Sequence, residues 1–234
     1  MQIRTKISHS RQLSSTIRTA GAPLFLMYRQ FWDHQAVGEL VVPFLVLMHQ
    51  VVRASVPLME AASERASSLS MSDPVAQLLR DYLRTHIQEE ANHDTWLLED
   101  LAVAGLSEAD VRARPPSSSV AAMCGSQYYW IYHHHPVALL GYIRLLEGNP
   151  PSLDHIDSLQ RNSGLPEPVF RTYRMHGELD PHHLQEFDDM FDALPLTRAQ
   201  LKLVLSSAVY TAHMMSNCLG EILSEVEPRQ AVGQ

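Results

Sequence analysis

The sequence predicts an all-α fold, a single-domain helical bundle of seven or more helices. Three observations carry this. Apolar residues recur at helical spacing through almost everything after residue 22. No period-2 run of convincing strand length interrupts them. The breakers between periodic stretches, such as Ser72-Asp73-Pro74 and Pro150-Pro151, are short caps and stops rather than linkers. A chain of 234 residues that is 45% apolar can bury one sizeable core, and no repeat at solenoid spacing divides it.

The first residues differ from the rest. Arg4, Lys6, Arg11 and Arg18 precede the first acid, Asp33, and no apolar core segment follows them, so a secretory signal is not expected. The Arg/Ser-rich start resembles an organelle transit peptide; its blander reading is an N-terminal arm over 1–21, mobile or docking. The helical domain then spans 22–228, with a flexible tail at 229–234. Gly38 precedes a helix from Glu39 to about Ser68, and Ser72-Asp73-Pro74 caps another running to about Gly105. Ser107 begins a short helical turn, and Arg114–Ser119 forms a loop. Further helices run from Val120 to about His134 and from Pro136 to Glu147, with a short one from Asp154 to Arg161. Two more cover about Glu167–Leu194 and Thr197–Val226.

Composition excludes several functions. The net charge of −8 comes without any basic stripe, which disfavours nucleic acid as a partner. The longest apolar run, Leu40–Met48, has nine residues and contains Pro43, so no membrane span is expected. Two cysteines, Cys124 and Cys218, make neither a disulfide framework nor a four-sulfur metal site, and point to a reducing, cytoplasmic compartment. Thirteen histidines is many for this charge balance.

Those histidines are patterned. His86, Glu90 and His93 stand at offsets 0, 4 and 7, and His176, Asp180 and His183 repeat the offsets. On a helix each trio falls within about 60° of arc, one narrow stripe. Composition alone predicts roughly 0.1 such trio in the chain, so two are not chance. Imidazole with carboxylate suits iron, manganese or zinc. Offsets 0 and 7 lie about 10 Å apart along a helix, long for one ion but fitting a pair of ions about 4 Å apart with a carboxylate between them. Solvated faces or hydrogen-bonded core histidines are the plain alternative. Both stripes are flanked by apolar residues (Leu83 and Leu97; Tyr173 and Phe187), and burying six ionisable groups without a metal costs several kcal/mol per unpaired charge. Asp180-Pro181 adds a conflict: Pro181 cannot donate its backbone bond, so the ladder is expected to kink or break there.

With these motifs the chain resembles the heme-oxygenase-like diiron oxidases, the iron-containing redox enzymes. Their pattern is a carboxylate and histidine on one core helix, a glutamate on a second, and His-x3-Asp-x2-His on a third. The third matches as His176, Asp180 and His183, and the first as His93 with Glu90. The second maps onto Glu147, 54 residues after His93 and 29 before His176. Glu89 or Glu90 could be the ligand, and His86 could bind directly or orient a ligand. The resemblance covers most of residues 25–225.

It implies a heme-oxygenase-like helical fold and two Fe(II) ions. It further implies O2 as co-substrate, an external electron donor, and a small organic substrate resembling an amino acid, an amine or a fatty acid. No Rossmann or flavin fingerprint supplies electrons internally. The rivals are a thiaminase-like cofactorless hydrolase, in which Cys124 would matter, and a non-catalytic metal-binding bundle; a homodimer stays open. Arg144, one turn before Glu147, is a candidate for a substrate carboxylate, with a plain ion pair as its alternative. His133-His134-His135 reads as a polar helix end. Tyr128, Tyr129, Trp130 and Tyr132 read mostly as core.

Overall fold

The computed structural model describes residues 7–226; the side chains of residues 179–182 lie outside that description. Among the described residues the chain is helical and contains no strand. The helices are α1 (His9–Ala20), α2 (Ala22–Trp32), α3 (Val37–Leu69), α4 (Pro74–Glu90), α5 (His93–Val103) and α6 (Glu108–Ala113). After them come α7 (Ser118–His133), α8 (Leu139–Glu147), α9 (Leu153–Ser163), α10 (Arg171–Ala193) and α11 (Arg198–Val226). Short 3-10 turns at Pro136–Ala138 and Glu167–Phe170 lead into α8 and α10.

Most ends follow from their cap residues. Asp73 accepts from the backbone N–H groups of Val75 and Ala76, with Pro74 at the first helical position. Ser8, Ser107, Ser117 and Ser152 cap α1, α6, α7 and α9 through their hydroxyls. Gly164 closes α9 at φ 69°, a conformation costly for other residues.

Helix α3, 33 residues and so about 50 Å long, is the central strut, packed on α4, α5, α7, α9 and α11. By length and composition it would also pass for a membrane span, which the nine-residue run understated. Helix α11 bridges α1, α2, α7 and α8. Gly141 lets α8 lie directly on α11, since a Cβ there would collide with the Val204 carbonyl and sit 2.6 Å from the Ala208 nitrogen.

The expectations need four corrections. Ser72-Asp73-Pro74 opens a helix that stops at Glu90, not Gly105: Ala91 is extended and Asn92 left-handed (φ 71°) before α5 restarts at His93. Asparagine tolerates that conformation better than most residues. Conversely, α10 runs unbroken through Pro181, as α3 does through Pro43 and Pro57, because packing on neighbouring helices outweighs the lost backbone bond. Residues 9–20 of the arm are helix, docked on α10 and α11 with Leu13 and Ile17 buried, each contributing roughly 2 kcal/mol. Lastly, Tyr128, Tyr129 and Tyr132 are exposed rather than core. Residues 1–6 and the tail at 229–234 lie outside the described residues.

Candidate metal centre

One helical turn separates His86 and Glu90 on α4, so both face the same side. The Ala91-Asn92 turn re-aims the chain, and His93 opens α5 with its Nδ1 2.9 Å from a Glu90 oxygen. The stripe therefore converges through a turn and not along one straight helix. Helix α10 runs antiparallel beside it, and the two seven-residue steps match. The rings of His93 and His176 meet at 5.1 Å between centroids, and those of His86 and His183 at 6.0 Å, both nearly perpendicular. Glu147, the last residue of α8, brings a carboxylate oxygen to 3.2 Å from His86 Nε2. Ligand atoms of His86, Glu90 and Glu147 all fall within 4.8 Å of one another.

The burial is asymmetric. His86, Glu90 and His93 are 2%, 7% and 3% exposed, whereas Glu147, His176 and His183 are only half-buried. Burial by itself would discharge His86, but the Glu147 and Glu90 charges and the hydrogen bonds to Glu147 and Glu89 overrule it and push its pKa up to about 9. Burial likewise works to raise the Glu90 carboxyl, yet the partnership with His93, His86 and His176 holds it below its ordinary value.

Two atoms test whether this set fits a cation. His183 Nδ1 is buried without a hydrogen-bond partner, and His93 Nδ1, though close to Glu90, lies off the line of a hydrogen bond. A buried imidazole nitrogen without a partner, and a second that meets a carboxylate out of hydrogen-bond line, are what a bound cation would satisfy. Glu89 and Glu90 separate cleanly here. Glu90 enters the cluster, while the more exposed Glu89 takes a hydrogen bond from His86 Nδ1 at 3.2 Å, leaving Nε2 to face inward. The donor set fits iron.

The cluster opens onto a cavity of about 560 Å³. Glu90, Glu147 and His176 line its polar end, and Phe44, Leu45, Leu97 and Tyr173 belong to its apolar wall. Helix α2 completes the wall with Leu24, Tyr28 and Trp32, and adds exposed Arg29 and Asp33.

Other expected residues fall elsewhere. Arg144 does not line the cavity; Asp188, Ser14 and the Gly148 carbonyl occupy its guanidinium. Cys124 also stands outside the lining, against Tyr142, and burial pushes its thiol up from the ordinary value, which weakens it as a nucleophile. His135 accepts from Val137 N–H and pairs with Asp73 at 3.0 Å, a structural tie, and His133 and His134 lie against Tyr129. The Asp180 side chain is outside the described residues.

Sequence reasoning did not single out Tyr82 and took Trp96 only as an apolar flank of the stripe; they stack on His86 and His93 at 5.2 and 4.0 Å. Their offsets of four and three residues from those histidines carried the signal. Nothing in the α2 sequence marked it as a cavity wall.

The sequence model of the iron-containing redox enzymes matches residues 43–215. No match is found among curated proteins. Solved structures with the same fold include a domain of unknown function with a heme oxygenase-like fold from Shewanella denitrificans (TM-score 0.70, 16% identity, covering 93% of this chain and 89% of that one). A TenA homolog from Pseudomonas syringae pv. tomato aligns with TM-score 0.69 and 12% identity over 96% of each chain. A CADD-like protein of unknown function from Nostoc punctiforme aligns with TM-score 0.62 and 15% identity over 97% of each. At such identities the likeness establishes the heme oxygenase-like fold. The family match over residues 43–215, most of the chain, makes the chain a member of the iron-containing redox enzyme family.

Proposed function

We propose that this protein is a non-heme diiron oxidoreductase that uses O2 to oxidise a small, largely apolar organic substrate. The observation that carries the reading is the antiparallel pairing of His86 with His183 and His93 with His176 around Glu90, at the end of an apolar cavity. His86, Glu90, His93, Glu147, His176 and His183, joined by Asp180 through its place in the family motif, would hold the ions. Iron bound there would supply the reduction of dioxygen and the oxidising power, with electrons from an external donor.

The chain's own residues do the rest. Glu90 and Glu147 offset the cationic charge in a partly water-excluded site. Glu89 accepts from His86 Nδ1, so Nε2, paired with Glu147 in the metal-free protein, is the nitrogen that would exchange its proton for an ion. Phe44, Leu45, Leu97 and Trp32 orient an apolar substrate body and exclude water from its reacting end. Arg29 and Asp33 offer charges of both signs to a polar head at the exposed side. Two free thiols suit a reducing cytoplasm.

The hydrolase rival needs a reactive Cys124, and its place outside the cavity with a raised thiol pKa speaks against it. A storage bundle leaves the cavity unexplained. The test is anaerobic Fe(II) loading followed by O2 uptake with a chemical reductant. We expect two irons per chain and reductant-dependent O2 consumption that Cys124→Ala leaves within about twofold. Saturation at one tightly held zinc, without O2 uptake by the iron-loaded protein, would contradict the proposal.

A further inference from the structure

Arg144 is buried, at 8% exposed, yet the cavity makes no use of it. Its guanidinium joins three elements. Nε donates to Asp188 on α10 at 3.1 Å, one terminal nitrogen to the Ser14 hydroxyl on α1 at 3.1 Å, and the other to the Gly148 carbonyl just past α8 at 3.4 Å. Gly148 follows the candidate ligand Glu147, and a Cβ there would collide with Arg144 Nη1, so the glycine is what lets the guanidinium lie across this helix end.

A second tether joins α1 to the same stretch of α10. The Ser10 N–H and hydroxyl donate to the two Asp192 carboxylate oxygens at 2.7 and 2.8 Å. Asp188 and Asp192 stand about one and a half and two and a half turns beyond His183. Phe187, the residue before Asp188, packs edge-on against Tyr82, which stacks on His86. The two other helices that bring candidate ligands to His86, α8 with Glu147 and α10 with His183, are thus both tied to α1, a helix that precedes the segment matched by the family.

Stability does not call for this arrangement. A buried ion pair gains little over apolar packing of the same volume once desolvation is counted. A planar guanidinium shared by three elements instead fixes their relative geometry. Resting on the metal reading above, we infer that Arg144 is a positioning residue of the metal centre and that α1 is its clasp. Docked α1 holds Arg144 on Asp188, and this sets the Glu147 carboxylate and the His183 ring relative to each other.

The experiment uses the full-length protein and anaerobic titration with Co(II), read by visible absorption, alongside thermal unfolding of the metal-free form. Arg144→Gln should weaken one of two Co(II) ions by about 10-fold or more and leave the other within about threefold. Arg144→Lys should recover part of the loss. Ser10→Ala combined with Asp192→Asn, which leaves Arg144 untouched, should weaken the same ion to a smaller extent. The control Leu219→Ala, a core truncation on α11, should lower thermal stability and spare both affinities. If Arg144→Gln lowers stability as the control does, with both affinities at wild-type values, the clasp is refuted. Should Arg144→Gln not fold, the Ser10/Asp192 double variant decides by the same reading. Wild type taking up a single ion would overturn the two-ion reading separately, and the clasp would still be decided by whether the variants weaken that ion.

Discussion

The two histidine–acid segments have the same spacing but are built in opposite ways. The α4–α5 segment breaks between Glu90 and His93 and buries its three candidate ligands almost completely. The α10 segment is continuous helix, and His176 and His183 remain half-buried. The breaker residue sits in the wrong one: Pro181 lies inside the unbroken helix, and Asn92, without a proline, marks the break. Helix continuity here is decided by what the helix packs against, and a single lost backbone bond of about 3 kcal/mol can be outweighed by tertiary burial. The break has a use. It turns His93 back toward Glu90, which a straight helix at offset 3 would do less closely.

The largest expected effects come from removing ligands on either side of this comparison. Glu90→Ala removes the buried carboxylate that both histidine pairs surround, and should abolish binding of both irons and all turnover. His183→Ala, from the more open segment, should cost one iron and leave a folded protein that binds the other. Iron-57 Mössbauer spectra of the anaerobically loaded variants check this. Equal losses in the two variants would erase the distinction between the segments.

A smaller effect follows from the charge on His86. Its pKa in the folded, metal-free protein is raised to about 9, above the value near 6.5 of an unfolded histidine. That contribution is therefore fully present below about pH 6.5 and is lost as pH rises through about 9, on the order of 3 kcal/mol. Urea unfolding with chelator present should show stability falling across this window, and Glu147→Gln should flatten the fall. Metal affinity should change the other way, rising with pH as the proton on His86 becomes easier to displace. A pH-independent affinity between 6 and 9 would rule out His86 as a ligand.

The smallest effects test the backbone itself. Asn92→Ala places at φ 71° a residue that tolerates the left-handed region less well and should cost about 1 kcal/mol, while Asn92→Gly should be close to neutral. Pro181→Ala restores a donor within continuous helix and should stabilise the protein by about 1–3 kcal/mol. Chemical denaturation measures all three. A destabilising Pro181→Ala would mean that α10 depends on the proline.

Much of this was legible in the chain. Offsets 0 and 4 put His86 and Glu90 on one face, and offset 7 does the same for His176 and His183, because angular position on an unbroken helix depends on sequence alone; His93 joins them by way of the Ala91-Asn92 turn, which that argument did not foresee. Glu147 was reachable only through the family pattern, since a helix-terminal glutamate carries no angular signal of its own. The choice between Glu89 and Glu90 needed the direction of burial, which neighbouring helices decide. For Arg144 the plain ion pair, and not the substrate carboxylate, is what the structure shows; its partners Asp188 and Ser14, 44 and 130 residues away, could not be named from the chain. The arm hid a helix because its apolar positions, Leu13 and Ile17, are few and its partner surface is distant in sequence.

On the proposed reading the two antiparallel segments create two ion positions, one at each histidine pair. Anomalous diffraction at the iron edge, on crystals grown and loaded with Fe(II) anaerobically, tests it most directly. The account predicts two iron peaks, one beside His86 and His183 and one beside His93 and His176, with the Glu90 carboxylate between them. A single peak, or iron bound away from both pairs, would contradict it.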